Sequence, residues 1–194
     1  MVVAPILGQQ VVEYVVDAHC PKQPIMLVDD RHCDEVVRGE VRFDIYGPTV
    51  DAAYWTRCLE AIARAPQNVR ITYQGAVPHV QIAGVFAKHH FFVLPTFTEN
   101  FGHVILESLF ARCPVVLSDK TPWRDLARLR AGWDIPLDDV TRWKTVLQGC
   151  VDMGGAEHET LRAGALQAAA LFADLQNAIN AHAAMFDIAV ASTT

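Results

Sequence analysis

From residue 41 onward, short apolar runs alternate with segments of helical pattern, and this alternation restricts the fold more than any other feature. "VRFDIYG" (41–47) reads as a strand closed by glycine, followed by a helical stretch through "AAYWTRCLEAIARA". "VRITYQG" (69–75) is a second strand, with a short helix in "VPHVQIAGVFAKH". "FFVLP" (91–95) is a third, apolar on both faces, and leads into a helix from about Phe101 to Ala111. "PVVLSD" (114–119) and "GWDIPL" (132–137) supply two more strands, and a helix follows through "VTRWKTVLQGCV". Near-continuous apolar strands alternating with helices form a parallel sheet covered on both faces. The expected fold is therefore α/β: a doubly wound, Rossmann-like parallel sheet with a C-terminal helical tail.

Three stretches complete the outline. In "TPWRDLARL", Thr121 is placed to cap a helix whose first position is Pro122. Residues 156–186 bring Leu161, Ala165, Ala168, Phe172, Leu175, Ile179 and Phe186 to roughly helical spacing, so the tail reads as one or two helices packing an apolar stripe. In the first forty residues, "QQVVEYVVDA" reads as a helix and "PIMLVD" as a strand, but no motif is legible. The chain thus divides into an unassigned, atypical segment 1–37, an α/β domain 38–155 and a helical tail 156–194.

Composition excludes several classes. With 52% apolar and 20% charged residues in 194, the chain can bury a full core. A net charge of −6 with no Lys/Arg-rich stretch argues against nucleic-acid binding and against adsorption to anionic lipid. The five cysteines are scattered without ligand spacing, so neither a zinc site nor a disulfide framework is expected. Reduced thiols, an N-terminus unlike a secretory signal and no apolar run of about 18 residues suggest a cytoplasmic protein without a membrane span.

In doubly wound sheets ligands bind beyond the carboxyl ends of the strands. The third strand leads directly into "PTFTENFGHVILESLF" (95–110), where Glu99 precedes the helix and Glu107 lies within its apolar body. Asn100 suits an N-cap, which would leave the backbone N–H groups of Phe101, Gly102 and His103 free to hold a phosphate. Gly102 admits a close ligand, and helical side chains lean toward the N-terminus, so Glu107 can reach the same ligand. A phosphate flanked by two hydroxyl-binding acids outlines a sugar nucleotide. The plainer alternative pairs Glu107 with a lysine or arginine and leaves Glu99 as solvated loop charge.

Other candidates carry less. His79, His89 and His90 read as surface or loop histidines without metal-ligand spacing, whereas His103 can donate from its ring to a sugar or phosphate. Trp123 and Trp133 read as packing residues. At Thr121 a ligand contact competes with helix capping. Ser118 has no triad partners, and neither G-x-G-x-x-G nor a P-loop occurs.

The run "ENFGHVILESL…CPVVLSDKTPWRDL…AGWDIPLDD", preceded by "RFDIYGP" and "YQGAVPH", closely resembles the C-terminal donor-binding domain of retaining GT-B glycosyltransferases, the "group 1" enzymes of bacterial polysaccharide assembly. The resemblance spans about residues 38–155. It implies transfer, with retention, from a nucleotide sugar to a glycan or lipid-linked acceptor, with no bound metal and no cofactor beyond the sugar nucleotide. It implies that Glu107 binds the ribose hydroxyls, that Phe101, Gly102 and His103 offer backbone to the diphosphate and sugar, and that Glu99, the catalytic residue, contacts the transferred sugar and helps stabilise positive charge as the glycosidic bond loosens. Val77 and Pro78 would lie near the nucleobase, and Thr121 near the donor.

The chain also departs from that pattern. Family members carry an acceptor-binding domain ahead of this one, and an arginine and a lysine in a glycine-containing loop that hold the diphosphate. Here the corresponding region reads "PIMLVDDRHCDEVVRGEV", with Arg31 and Arg38 but no such loop, and two family glycines are replaced by Thr98 and Arg112. Two readings follow: the donor half of a glycosyltransferase served by a separate acceptor domain or chain, or a degenerate, non-catalytic nucleotide-sugar-binding module. A GT-B-type sugar-nucleotide epimerase fits the fold but not the motifs.

Overall fold

The computed structural model describes residues 25–29, 41–49 and 51–191, with side chains over 41–49 and 51–174. In chain order the elements are β1 (Ile25–Asp29), β2 (Val41–Tyr46), α1 (Ala52–Ile62), β3 (Val69–Gly75), α2 (His79–Phe86), β4 (Phe91–Leu94), α3 (His103–Phe110), β5 (Val115–Ser118), β6 (Gly132–Ile135), α4 (Val140–Asp152) and α5 (Gly155–Ala191). Each strand expected from residue 41 onward is present, and "PIMLVD" supplies β1. The helix expected in "QQVVEYVVDA" lies outside the described residues.

The strands form one sheet in the order β3-β2-β1-β4-β5-β6. The pairs β2–β3, β4–β5 and β5–β6 are parallel. β1 is antiparallel to both its neighbours, with Ile25 opposite Tyr46 and Asp29 opposite Arg42. The doubly wound α/β architecture is as expected, but its sheet is not wholly parallel. The short link of residues 30–40 is compatible with this, because antiparallel neighbours accept a short connection whereas a parallel return needs a crossover of about a dozen or more residues. β2 to β6 therefore share one direction and end at one edge, while β1 ends at the other.

Alternation within β4 explains its apolar sequence. Phe91 and Val93 join a core with Phe43, Val116 and Trp143 on the side of α1 and α4. Phe92 and Leu94 join a second core with Ile105, Leu109 and Leu117 on the side of α2, α3 and α5. Asp51 and Asp139 cap α1 and α4 by accepting the amides of Tyr54 and Arg142, each at 2.9 Å.

The tail forms one helix, whose Leu161, Ala165 and Ala168 are buried. A β-carbon on Gly164 would stand 2.1 Å from the Arg130 carbonyl oxygen, so glycine is what lets α5 lie against the 121–131 loop. Phe172 then meets Trp123 with ring centroids 4.1 Å apart.

The helix expected after Thr121 does not form; residues 121–131 are turns. Arg124 donates to the carbonyls of Thr121, Trp123 and Asp119, and Asp125 sits at φ 59° in the left-handed region. The Leu126 amide bonds the Asp134 carboxylate at 3.1 Å, and Trp123 is 1% exposed. Tertiary demands on this segment override its capping signal.

His89 lies in a loop, one of the two places expected for it, but is buried against buried Asp44 rather than on the surface. Its Nε2 lies 3.0 Å from Asp44 Oδ2 and its Nδ1 2.8 Å from the Val85 carbonyl. Gln74 donates to Asp44 Oδ1 at 3.0 Å, and Arg42 Nε approaches Oδ2 at 3.0 Å. Burial alone would raise the Asp44 carboxyl, but the Gln74 and His89 hydrogen bonds and the Arg42 charge outweigh it and hold the group below its ordinary range. A carboxylate so depressed adds stability that is complete above its unfolded value of about 3.9 and is lost as pH falls through the lower native value. Acidification from about pH 5 to about pH 3 is therefore expected to lower the urea midpoint of the wild type more than that of Asp44→Asn. At neutral pH, His89→Ala should cost about 3 kcal/mol by stripping a buried carboxylate of a partner.

Candidate functional site

The carboxyl edge of β2 to β6 gathers the loops that follow β3, β4 and β5. After β4, the Thr96 hydroxyl donates to the Thr98 carbonyl at 2.7 Å, and the Ser118 hydroxyl donates to the Thr96 carbonyl. The Glu99 amide bonds the Lys120 carbonyl at 3.2 Å, tying the loop to the one after β5.

Helix α3 begins later than expected, with Gly102 rather than Asn100 as its N-cap. Glu99 Oε1 accepts the Gly102 amide at 3.0 Å, and Gly102 takes φ 76°, a conformation that favours glycine. Its carbonyl then accepts from Ile105 at 2.8 Å and Leu106 at 3.2 Å. Of the three backbone donors expected, the amide of Gly102 is thus committed to Glu99 and that of Phe101 precedes the helix. The amides of His103 and Val104 are the first-turn donors outside the helical ladder.

Phe101 has a supporting role. Its carbonyl accepts the Trp123 indole N–H at 2.6 Å, and its ring lies 4.7 Å from that of His103. His103 itself is exposed. At the far end of α3, Arg112 occupies the left-handed position at φ 60° that favours glycine. The Arg112 amide bonds the Leu109 carbonyl and the Cys113 amide the Ser108 carbonyl, each at 3.0 Å, which is a Schellman cap. The Arg112 guanidinium pairs with Glu159 of α5.

Glu107 is partly exposed, and its Oε1 meets His79 Nε2 at 2.7 Å. Its partner is thus a histidine, not the lysine or arginine considered from the sequence. His79 opens α2 directly after half-buried Val77 and exposed Pro78, the N-cap of that helix. The first turn of α2 and the body of α3 consequently meet at the Glu107 carboxylate. Thr121 is 2% exposed, and its hydroxyl accepts the Trp123 amide at 3.3 Å, so it shapes a turn and offers a ligand no open approach. His79 is the residue that sequence reasoning missed at this edge; its position right after "VP" was the available signal.

Among the described residues no group of three His, Cys, Asp or Glu is arranged to hold a metal ion. Cys58, Cys113 and Cys150 are free and buried, and burial pushes the Cys113 thiol up to about 12. A groove lined by Ile62, Pro66, Asn68 and Arg70 opens at the start of β3, the opposite edge, and contains none of these site residues.

A helix N-terminus with a carboxylate before it and another within it, beyond a mostly parallel sheet, has groups of the kind that take anions and hydroxyls. Residues 27–152, well over half of the chain and extending from within β1 to the end of α4, match the family described as glycosyl transferases group 1. The chain belongs to that family. No curated protein matches it. No helix among the described residues is long and apolar enough to cross a membrane.

A β-carbon on Gly102 would stand 2.6 Å from Ile105 Cδ1 and 3.2 Å from Glu99 Cγ. Gly102→Ala should therefore destabilise the fold by about 1–3 kcal/mol through left-handed strain and crowding. Thermal unfolding measures that cost, and a crystal structure of the variant should show Glu99 displaced from the residue 102 amide.

Proposed function

We propose that this chain is the donor-binding half of a nucleotide-sugar-dependent glycosyltransferase that transfers its sugar with retention. Sugar transfer follows from the family; the donor assignment rests on one observation. Glu107, Glu99 and the free amides of α3 occupy a single strand–loop–helix unit at the edge where ligands of such sheets bind.

In this reading the His103 and Val104 amides and the helix dipole hold the donor diphosphate and stabilise the charge that grows on it as the glycosidic bond loosens. Glu107 accepts hydrogen bonds from the ribose hydroxyls, and Val77 and Pro78 border the nucleobase. Glu99 Oε1 is occupied by the Gly102 amide, which leaves Oε2 to face the transferred sugar and its developing positive charge. The His103 ring adds a donor toward sugar or phosphate. Thr121 contributes by supporting the turn that carries Trp123. The acceptor would be a glycan or lipid-linked saccharide of polysaccharide biosynthesis in the cytoplasm, brought by a separate acceptor-binding domain or chain. Neither metal nor cofactor is required.

The direction of β1 favours a second reading, a binding module without catalysis. Asp29 pairs with Arg42 at the start of β2, so the chain leaves β1 at the edge opposite α3. The family's diphosphate-holding arginine and lysine belong to this stretch, and Arg31 and Arg38 lie outside the described residues. Loss of both cations would remove several tenfold factors in rate, at about 1.4 kcal/mol each.

Calorimetric titration with UDP, GDP and their common sugar conjugates tests the donor assignment. Binding in the micromolar to millimolar range is expected, weakened at least about tenfold in Glu107→Ala. A folded protein that binds none of them would overturn the proposal. Binding without turnover, even with a supplied acceptor domain, would favour the module.

A further inference from the structure

The pairing of Glu107 has a consequence for ligand recognition. Glu107 is the one acid on α3, a helix whose other residues are mostly apolar. Its side chain is 28% exposed, and its partner His79 is 82% exposed at the first position of α2. The contact therefore sits at the mouth of the site rather than in the core, where little stability is gained from it. The contact is made through Oε1, and the carboxylate has acceptor capacity beyond that one contact. The imidazole approaches from the first turn of α2, and its Nε2, 2.7 Å from Oε1, favours one rotation of a carboxylate that otherwise turns about its last torsion. A vicinal diol needs both carboxylate oxygens in one plane, so this rotation decides how well it is held.

We infer that His79 is a positioning residue for diol recognition: it orients Glu107 to accept both hydroxyls of a nucleoside ribose. The inference rests on the donor reading above. His79 acts through Glu107 and takes no part in bond making. The imidazole can align the carboxylate in this way whenever Nε2 carries a proton. Because a glutamine amide can present an N–H at a comparable reach, it should reproduce the effect, whereas alanine cannot.

The test compares Kd values of UDP and GDP with those of their 2′,3′-dideoxy counterparts, by calorimetry on the full chain. Wild type, His79→Ala, His79→Gln, Glu107→Ala and the double variant H79A/E107A are measured together. His79→Ala should weaken the ribonucleotide about fivefold and leave the dideoxynucleotide unchanged, with His79→Gln recovering most of the loss. In the Glu107→Ala background, removing His79 should have no further effect. The unfolding midpoint of His79→Ala should stay near that of the wild type, since the side chain is exposed. Equal weakening of both nucleotides, or none in either, would overturn the positioning role while leaving the donor site standing. Absence of nucleotide binding by the wild type would overturn the donor reading and this inference with it.

Discussion

The 3.0 Å contact between the Glu99 carboxylate and the Gly102 amide governs the working edge of this protein. It closes the loop after β4 and brings Gly102 into its left-handed conformation. It also starts α3 at His103, with the amides of His103 and Val104 outside the helical ladder. The rest of the edge is built around that start. Trp123 holds the Phe101 carbonyl from one side, Phe172 of α5 backs Trp123, and Lys120 binds the Glu99 amide through its carbonyl. A helix that began two residues earlier would point different amides outward and separate Glu99 from the loop it closes.

Beneath this edge the sheet combines two kinds of chain reversal. Where helices connect the strands, as between β2 and β3 or β3 and β4, the strands share a direction and deliver their loops to one side. Where only residues 30–40 intervene, β1 is inserted the other way. The hydrophobic layers tolerate this because a central strand is paired on both sides in either orientation.

Much of this was legible in the sequence. β2 to β6 were marked by apolar runs bounded by glycine or proline, and "ENFGHVILESL" identified the strand–loop–helix unit and the family. What escaped depended on contacts distant along the chain. Thr121 and Pro122 look like a helix start, yet the Arg124 bonds to three carbonyls and the burial of Trp123 hold the segment in turns. His89 lies forty-five positions from Asp44, and no local pattern joins them. His79 pairs with Glu107 across two helices in the same way. The antiparallel course of β1 rests on its pairings with β2 and β4, which its own apolar run does not announce. Arg112 is the opposite case: the family glycine marked the position, and the chain keeps the left-handed geometry without the glycine.

The central claim is that the start of α3, flanked by Glu99 and Glu107, is a nucleotide-diphosphate site. The most direct measurement is a two-dimensional amide NMR titration of the full chain with UDP and GDP. The account predicts that the His103 and Val104 amides show the largest shifts, followed by Gly102 and the residues around His79. Shifts confined to the groove at the start of β3, with the amides of residues 102–104 unmoved, would contradict it.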